Sequence, residues 1–520
     1  MGRPATANGD GQGKRRFSIA MVSDFFHPDV GGVENHIYML STTLMRMGHK
    51  VIVISHSHPP DRVGIRWLSP GLKVYHIPFP TIASSATLPN FFTFLPYLRT
   101  IALRERVDII HGHASLSSLA HEGIMHAHHM GIRTVFTDHS LFGFDDAASI
   151  LTNKLLEGML SHVDAAICVS HTGRENTILR SKLTPRVGGS VGDVGDPSDD
   201  EDSDAASSID HQDHERVINR EFGLDPGRVH VIPNAIVTDK FKPYPREQTD
   251  KVTIVVLSRL AYRKGIDLLV AAAPRICAKF PHVHFVIGGD GPKLIDLLQM
   301  REKYVLQDRI ELLGPIHPRD VRSVLARGTI FMNTSLTEAF GIAILEAACA
   351  GLYVVSTRVG GIPEILPEDM ISFANPDEDD VFRAISDAVR MVCENQHDPT
   401  KAHDRISKFY SWEAVAERTE VVYQQVYSSP ELHLWDRLQN TLRLGTIAGP
   451  IFCIILVVDC LFFLFLECLI PRDQLDFTDD ERISDGTVFD RLRNQENFKR
   501  PPATISVPHL RTQYEERNES

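Results

Sequence analysis

Two sets of residues in the second half of this 520-residue chain have the types and spacing that handle a phosphorylated ligand. The first is SRLAYRKGIDLL, residues 258–269, where Arg259 and Lys264 precede a helical pattern opened by Gly265. Two cations beside a helix amino terminus form a diphosphate clamp, because unpaired backbone N–H groups and the helix dipole add to the side-chain charges. The second is NTSLTEAFGIAILEAACAG, residues 333–351, with Glu338 and Glu346 eight positions apart. On an uninterrupted helix these carboxylates would sit roughly 80° apart. Gly341 instead places Glu338 in a loop and Glu346 about one turn into a helix. Both then face one cleft, and the amides near Phe340, Gly341 and Ile342 point at an anion. In the first half, Gly31 and Gly32 stand between an apolar run and a helix that keeps Val33, Ile37, Leu40, Leu44 and Met47 at helical spacing. Glycines there let backbone amides approach an anion. Each feature alone is commonplace; their order along one fold makes the combination specific.

The elements that must position these residues are legible as short β-rich runs. They fall at 17–23, 51–55, 107–111, 134–138, 165–170 and 228–232, then at 252–258, 283–288, 309–314, 329–333 and 352–356. Runs that are apolar on both faces and separated by helix-length segments belong to parallel sheets covered by helices. Two doubly wound Rossmann-like α/β domains are therefore predicted, 17–240 and 241–430, joined near Pro233 to Thr249. Ligands of such sheets bind beyond the carboxyl ends of the strands, where the residues above lie.

Two segments break the pattern. Residues 447–469 read IAGPIFCIILVVDCLFFLFLECL, of which 15 are Leu, Ile, Phe or Val. As a helix they reach about 34 Å, against a hydrocarbon core of about 30 Å. The apolar side chains contribute roughly −5 to −9 kcal/mol toward insertion, and Asp459 opposes with about +3 kcal/mol. A transmembrane helix is the expectation; the alternative is a buried core helix, for which nothing downstream supplies a cover. Arg437 and Arg443 before the run, against Arg472 followed by Asp473, Asp476, Asp479 and Asp480, predict that the large amino-terminal part lies on the cytosolic side. The second break is 184–215, with ten acids between Asp193 and Glu215 and no Lys or Arg among them. It reads as a disordered acidic insertion, as residues 1–16 read as a disordered amino terminus without a signal peptide and 471–520 as a polar tail.

Together these motifs resemble the retaining GT-B glycosyltransferases, the large family with two Rossmann-like domains facing a cleft and an E-x7-E motif. The likeness runs over most of 17–430. FHPDVGGVENHIYMLS, TVFTDHSLFGF, VIPNAIV, SRLAYRKGIDLL and TEAFGIAILEAACAGLYVVSTRVGGIPE resemble its membrane-bound members that act on phosphatidylinositol. The resemblance implies transfer of N-acetylglucosamine from UDP-GlcNAc to phosphatidylinositol at the endoplasmic reticulum membrane, the first step of glycosylphosphatidylinositol (GPI) anchor biosynthesis, alongside other subunits of a transferase complex. It implies that Arg259 and Lys264 hold the donor diphosphate, the task a metal performs elsewhere, so no metal or other cofactor is expected. It further implies that Glu346 binds the ribose, Glu338 the sugar or its phosphate side, that His139 lies beside the sugar, and that Gly31 and Gly32 contact phosphate and the acceptor region. The anomeric configuration is retained in the family; same-face attack and a covalent intermediate both remain open. The rival readings are a GT-B enzyme with another sugar acceptor and an inactive scaffold subunit.

Composition narrows the field further. Lys and Arg number 54 against 67 Asp and Glu, a net charge of −13, which argues against a general nucleic-acid binder. Seven scattered cysteines without a CxxC pair predict neither a disulfide framework nor a zinc site. Asp202-Ser203-Asp204 spells a metal-binding D-x-D, but inside an acidic run chance explains it. His111, His113, His126, His128 and His129 read as strand-end and helix-surface histidines rather than ligands. Asn333-Thr334-Ser335 is a glycosylation sequon in an active-site strand and should be unused. Finally, 89–106 packs Phe91, Phe92, Phe94, Leu95, Tyr97 and Leu98 beside Arg99, Arg104 and Arg106. It reads equally as an interfacial membrane element or as a core helix, the latter strongest for Leu98, Ile101 and Ala102.

Overall fold

Strands that are apolar on both faces must lie in a sheet with helices on each side, and the chain builds two such sheets. The computed structural model describes residues 15–28, 31–59, 61–83, 86–87, 90–141, 147–181, 226–244 and 251–475. The acidic stretch 184–215 with its D-x-D, and all but the start of the tail 471–520, lie outside the described residues.

The first sheet has eight strands, in the order Val229–Val231, Ala165–Cys168, Arg133–Asp138, Ile109–His113, Ser18–Val22, Lys50–His56, Leu72–Ile77 and Gly64–Leu68. Only the Gly64–Leu68 edge pairs antiparallel. The second sheet is parallel throughout, in the order Ile310–Gly314, Val283–Gly288, Val252–Leu257, Ile330–Asn333, Tyr353–Thr357 and Ile371–Ala374. All eleven expected runs are strands. Gly64–Leu68, Leu72–Ile77, Thr81–Ala83, Ala86–Thr87 and Ile371–Ala374 add to them without a comparable sequence signal. They are marginal or short, and two carry polar residues that break the apolar pattern, such as Lys73, whose ammonium is taken up by buried Glu105.

In each sheet the strand order reverses beside the first strand of that half, Ser18–Val22 and Val252–Leu257. A crevice forms at such a point because the connections leave in opposite directions, and ligands collect there. The two glycine-rich turns and the cation loop all follow strands at these reversals.

Sequence order and packing part company after residue 410. The helix Trp412–Ser428 falls inside the stretch assigned to the second domain, yet Trp412, Val415, Ala416, Val422, Tyr423 and Val426 pack into the core built by Phe17, Ile19, Ile37 and Leu40. The Tyr423 hydroxyl meets His111 Nδ1 at 2.7 Å.

The apolar run forms the helix Ala448–Leu469. Phe452, Leu456, Asp459, Phe463 and Leu466 on one face are buried. Asp459 Oδ2 is bonded by His126 Nδ1 at 2.7 Å and His129 Nε2 at 2.9 Å, and Arg99 donates to Glu467 at 2.9 Å. The cover that the sequence lacked downstream comes from upstream, from the helices Phe91–Arg104 and Ser118–Ala127. His126 is accordingly buried rather than on a helix surface. In the helix Phe91–Arg104, Phe94, Leu95, Leu98, Ile101 and Ala102 are core, whereas Phe92 and Tyr97 are 45% and 44% exposed. Arg99 is 2% exposed, so it serves the Glu467 pair and not a lipid head group.

Burial also sets an acid limit. Desolvation lowers His121 to about 4 and His162 to about 3, the latter helped by the Arg437 charge. The folded protein keeps both neutral while the unfolded chain protonates near 6.5, so stability is undiminished above that pH, falls as pH drops from 6.5 toward the depressed values, and levels off below them. At pH 5 the loss is about 2 kcal/mol for each. Thermal unfolding should therefore move to lower temperature between pH 7 and pH 5. His162→Gln should show a shallower pH slope; an unchanged slope would assign the acid sensitivity elsewhere.

Candidate active site

The cation loop and the two-glutamate loop are stitched together by backbone. Gly265, at φ +62°, ends the short turn Tyr262–Lys264 and opens the helix Ile266–Lys279. A Cβ on Gly265 would lie 1.8 Å from the Thr334 carbonyl oxygen, so only glycine allows the two loops to meet. Thr334 Oγ1 donates to the Lys264 carbonyl at 2.9 Å, and the Leu336 amide to the Arg263 carbonyl at 2.9 Å. Through these links the Lys264 ammonium pairs directly with Glu338 Oε2, which also accepts from Ser335 Oγ at 3.3 Å. Arg259 is exposed, and its side chain has no hydrogen-bond or ion-pair partner among the described residues.

Gly341 has φ +91° and caps the helix Ile342–Cys349, which puts Glu338 in the loop and Glu346 one turn into the helix, as the spacing predicts. Glu346 is half-buried, and burial pushes its carboxyl up to about 7. Phe340 turns its ring into the core against Tyr410, so anything it offers the site comes from its amide. The sequon is closed: Asn333 Nδ2 donates to Ser356 Oγ at 3.0 Å across the sheet.

The first half meets this arrangement directly. A Cβ on Gly32 would lie 3.5 Å from Ile342 Cδ1, so the helix starts at Gly32 and Ile342 approach one another across the seam. Gly360 and Gly361 permit a second close approach, since a Cβ on Gly360 would meet the Glu338 carbonyl oxygen at 2.1 Å and Leu141 Cδ1 at 2.8 Å. Glu364 then accepts from the His171 and Thr172 amides at the start of the helix His171–Ser181. The TRVGGIPE segment thus bridges the two halves, a role with no local signal in its residues.

His139 follows the strand Arg133–Asp138 and joins a histidine group that sequence reasoning only partly finds. His139 Nε2 lies 3.3 Å from His113 Nδ1, and its ring sits edge-on to His36 with centroids 4.6 Å apart. His36 Nδ1 bonds Asn234 Oδ1 at 2.8 Å. Burial lowers His36 to about 4 and His111 to about 3, and holds His113 and His139 well below the usual imidazole range. All four are neutral at physiological pH. One nitrogen each of His36, His113 and His139 lies within 4.8 Å of the others, a spacing that three histidine ligands of a metal ion would also show. His36 carries no signal in the sequence because its partners come from three distant segments.

Two Rossmann-like sheets whose loops meet at Gly32 and Ile342, with a lysine–glutamate pair in the second, are the architecture of the GT-B glycosyltransferases. Comparison with known proteins agrees. A family profile described as PIGA (GPI anchor biosynthesis) matches residues 56–146, and one described as Glycosyl transferases group 1 matches 251–391. The chain is 48% identical over 457 residues to the gpi3 subunit of phosphatidylinositol N-acetylglucosaminyltransferase from Schizosaccharomyces pombe, covering 88% of this chain and 91% of that one. It is 41% identical over 472 residues to the GPI3 subunit of the Saccharomyces cerevisiae enzyme, covering 88% and 95%. Among solved structures, a sucrose-phosphate synthase from Thermosynechococcus elongatus shares the fold with a TM-score of 0.59 at 18% identity, covering 80% of this chain and all of that one. The chain belongs to the GPI3 family of phosphatidylinositol N-acetylglucosaminyltransferase subunits.

Proposed function

We propose that the protein transfers N-acetylglucosamine from UDP-GlcNAc to phosphatidylinositol, with retention, as the first step of GPI anchor biosynthesis. The observation that carries this reading is the Lys264–Glu338 pair set beside the Gly32–Ile342 approach, in a chain of this family. Arg259 and Lys264 take the donor diphosphate and stabilise the charge that develops on it as the sugar leaves. In the Lys264 pair Glu338 fixes the ammonium, and His139 contacts the sugar as a neutral imidazole. The amides of Gly31, Gly32, Phe340, Gly341 and Ile342 complete the anion cradle. An inositol hydroxyl attacks on the face from which UDP departs, and its proton passes to the leaving phosphate oxygen. The helix Ala448–Leu469 holds the enzyme in the endoplasmic reticulum membrane with both sheets on the cytosolic side, where further subunits of the transferase complex join it.

Membranes carrying the protein, given radiolabelled UDP-GlcNAc and phosphatidylinositol, should form a labelled glycolipid. No product, or product only with another nucleotide sugar, would overturn the donor assignment. Chelators should leave the rate intact, since the cations at 259 and 264 do the work of a metal. Inhibition by EDTA that added zinc reverses would instead point to the three histidines at 36, 113 and 139.

Glu346 supplies a pH signature. Its carboxylate accepts the ribose hydroxyls, and protonation replaces these charge-assisted bonds with weaker neutral ones, so the donor KM should rise as pH falls through about 7. Glu346→Gln should raise the donor KM roughly tenfold with little change in kcat, and abolish this pH dependence. An unchanged KM would remove Glu346 from the donor site.

A further inference from the structure

We propose that a cavity of about 480 Å³ between the strand Leu72–Ile77 and the helix Phe91–Arg104 binds one acyl chain of an anionic bilayer phospholipid, seating the first half of the enzyme on the membrane. The cavity is walled by Val63, Tyr75, Ile77, Pro96, Tyr97 and Ile101, an almost wholly apolar lining of a size suited to a small ligand. Val63 and Tyr97 at its mouth are 42% and 44% exposed, and Ile65 and Trp67 on the neighbouring edge strand are 44% and 57% exposed.

Its position selects the occupant. The helix that forms one wall also carries the apolar helix Ala448–Leu469, with the Phe92 ring edge-on to Phe462 at 6.0 Å. Along that apolar helix and its capping residue Ile447, positions Ile447, Ile451, Ile454, Val458, Leu461 and Phe465 recur at steps of four and three and are at least 40% exposed. This stripe is long enough to need lipid, so the adjoining cavity sits where acyl chains are present. The charge at the mouth fits an anionic head group. Arg62 directly precedes the lining residue Val63, and Arg66 lies exposed on the neighbouring edge strand Gly64–Leu68. A protein segment would need backbone partners that this lining does not offer.

The inference rests on membrane attachment through Ala448–Leu469, and one experiment separates the two. The full chain is reconstituted in phosphatidylcholine vesicles containing a phosphatidylserine with a diazirine midway along one acyl chain. It is then illuminated and its labelled peptides are mapped. Label is expected on 448–469 and also on 63–78 and 96–101. Thr100→Trp, which fills the cavity, and Val63→Asp, which charges its mouth, should each reduce the cavity label roughly tenfold and leave the helix label unchanged. If Thr100→Trp fails to fold, Val63→Asp decides alone, because residue 63 is exposed. Label on 448–469 only, or cavity label that survives a folded variant, overturns the acyl site while membrane attachment stands. Absence of label from both overturns both.

Discussion

Lys264→Ala lowers kcat roughly 10²–10³-fold at saturating donor, the size of effect seen when one preorganised donor to a developing negative charge is removed. The lysine is held from two directions. Its carbonyl accepts from Thr334 Oγ1 and its ammonium is bound to Glu338, so a diphosphate bound there as proposed would need to order it little further. Arg259→Ala should lose a similar factor, for the complementary reason that its guanidinium has no protein partner among the described residues to hold it away from a ligand. Glu338→Gln keeps the shape of the loop while removing the ion pair, and should cost less than either. Single-turnover assays with each purified variant, after checking that its unfolding temperature matches the wild type, measure these factors. Near-normal turnover by Lys264→Ala would dismiss the diphosphate clamp.

Gly265→Ala should be as damaging although it changes no functional group. The new methyl carbon would stand 1.8 Å from the Thr334 oxygen, an atom of the backbone that cannot swing aside, and φ +62° is already unfavourable for an L side chain. Relief requires the 262–265 turn and the 334–338 loop to part, which breaks the Thr334 and Leu336 bonds and carries Lys264 away from Glu338. A loss of at least 10²-fold in activity is expected, since displacement of about 1 Å is enough for that. About 2 kcal/mol of stability should go with it. Gly314→Ala is the control, because its positive φ carries the same conformational strain with nothing within 4 Å of the added atom. Equal behaviour of the two variants would show that strain, not the contact between loops, matters at 265.

Much of this protein was settled by local sequence. Eleven apolar runs became strands because a parallel strand buried on both faces admits little else, and Gly341 divided Glu338 from Glu346 because a left-handed cap ends one conformation and starts another. The apolar run became a helix for the same local reason, its side chains having no other periodicity to satisfy. What local sequence left open depended on partners far along the chain. That Trp412–Ser428 belongs to the first core, that Glu364 caps a helix of the other half, and that His36 meets His113 and His139 were decided by packing. So was the conversion of Arg99 from a head-group contact into the buried mate of Glu467, and the burial of His126 on Asp459. The reason is the range of the forces. Backbone preference and hydrophobic period act over a few residues and show in the string itself. A buried polar group, by contrast, must find its complement wherever the fold brings one, and only the tertiary structure says where that is.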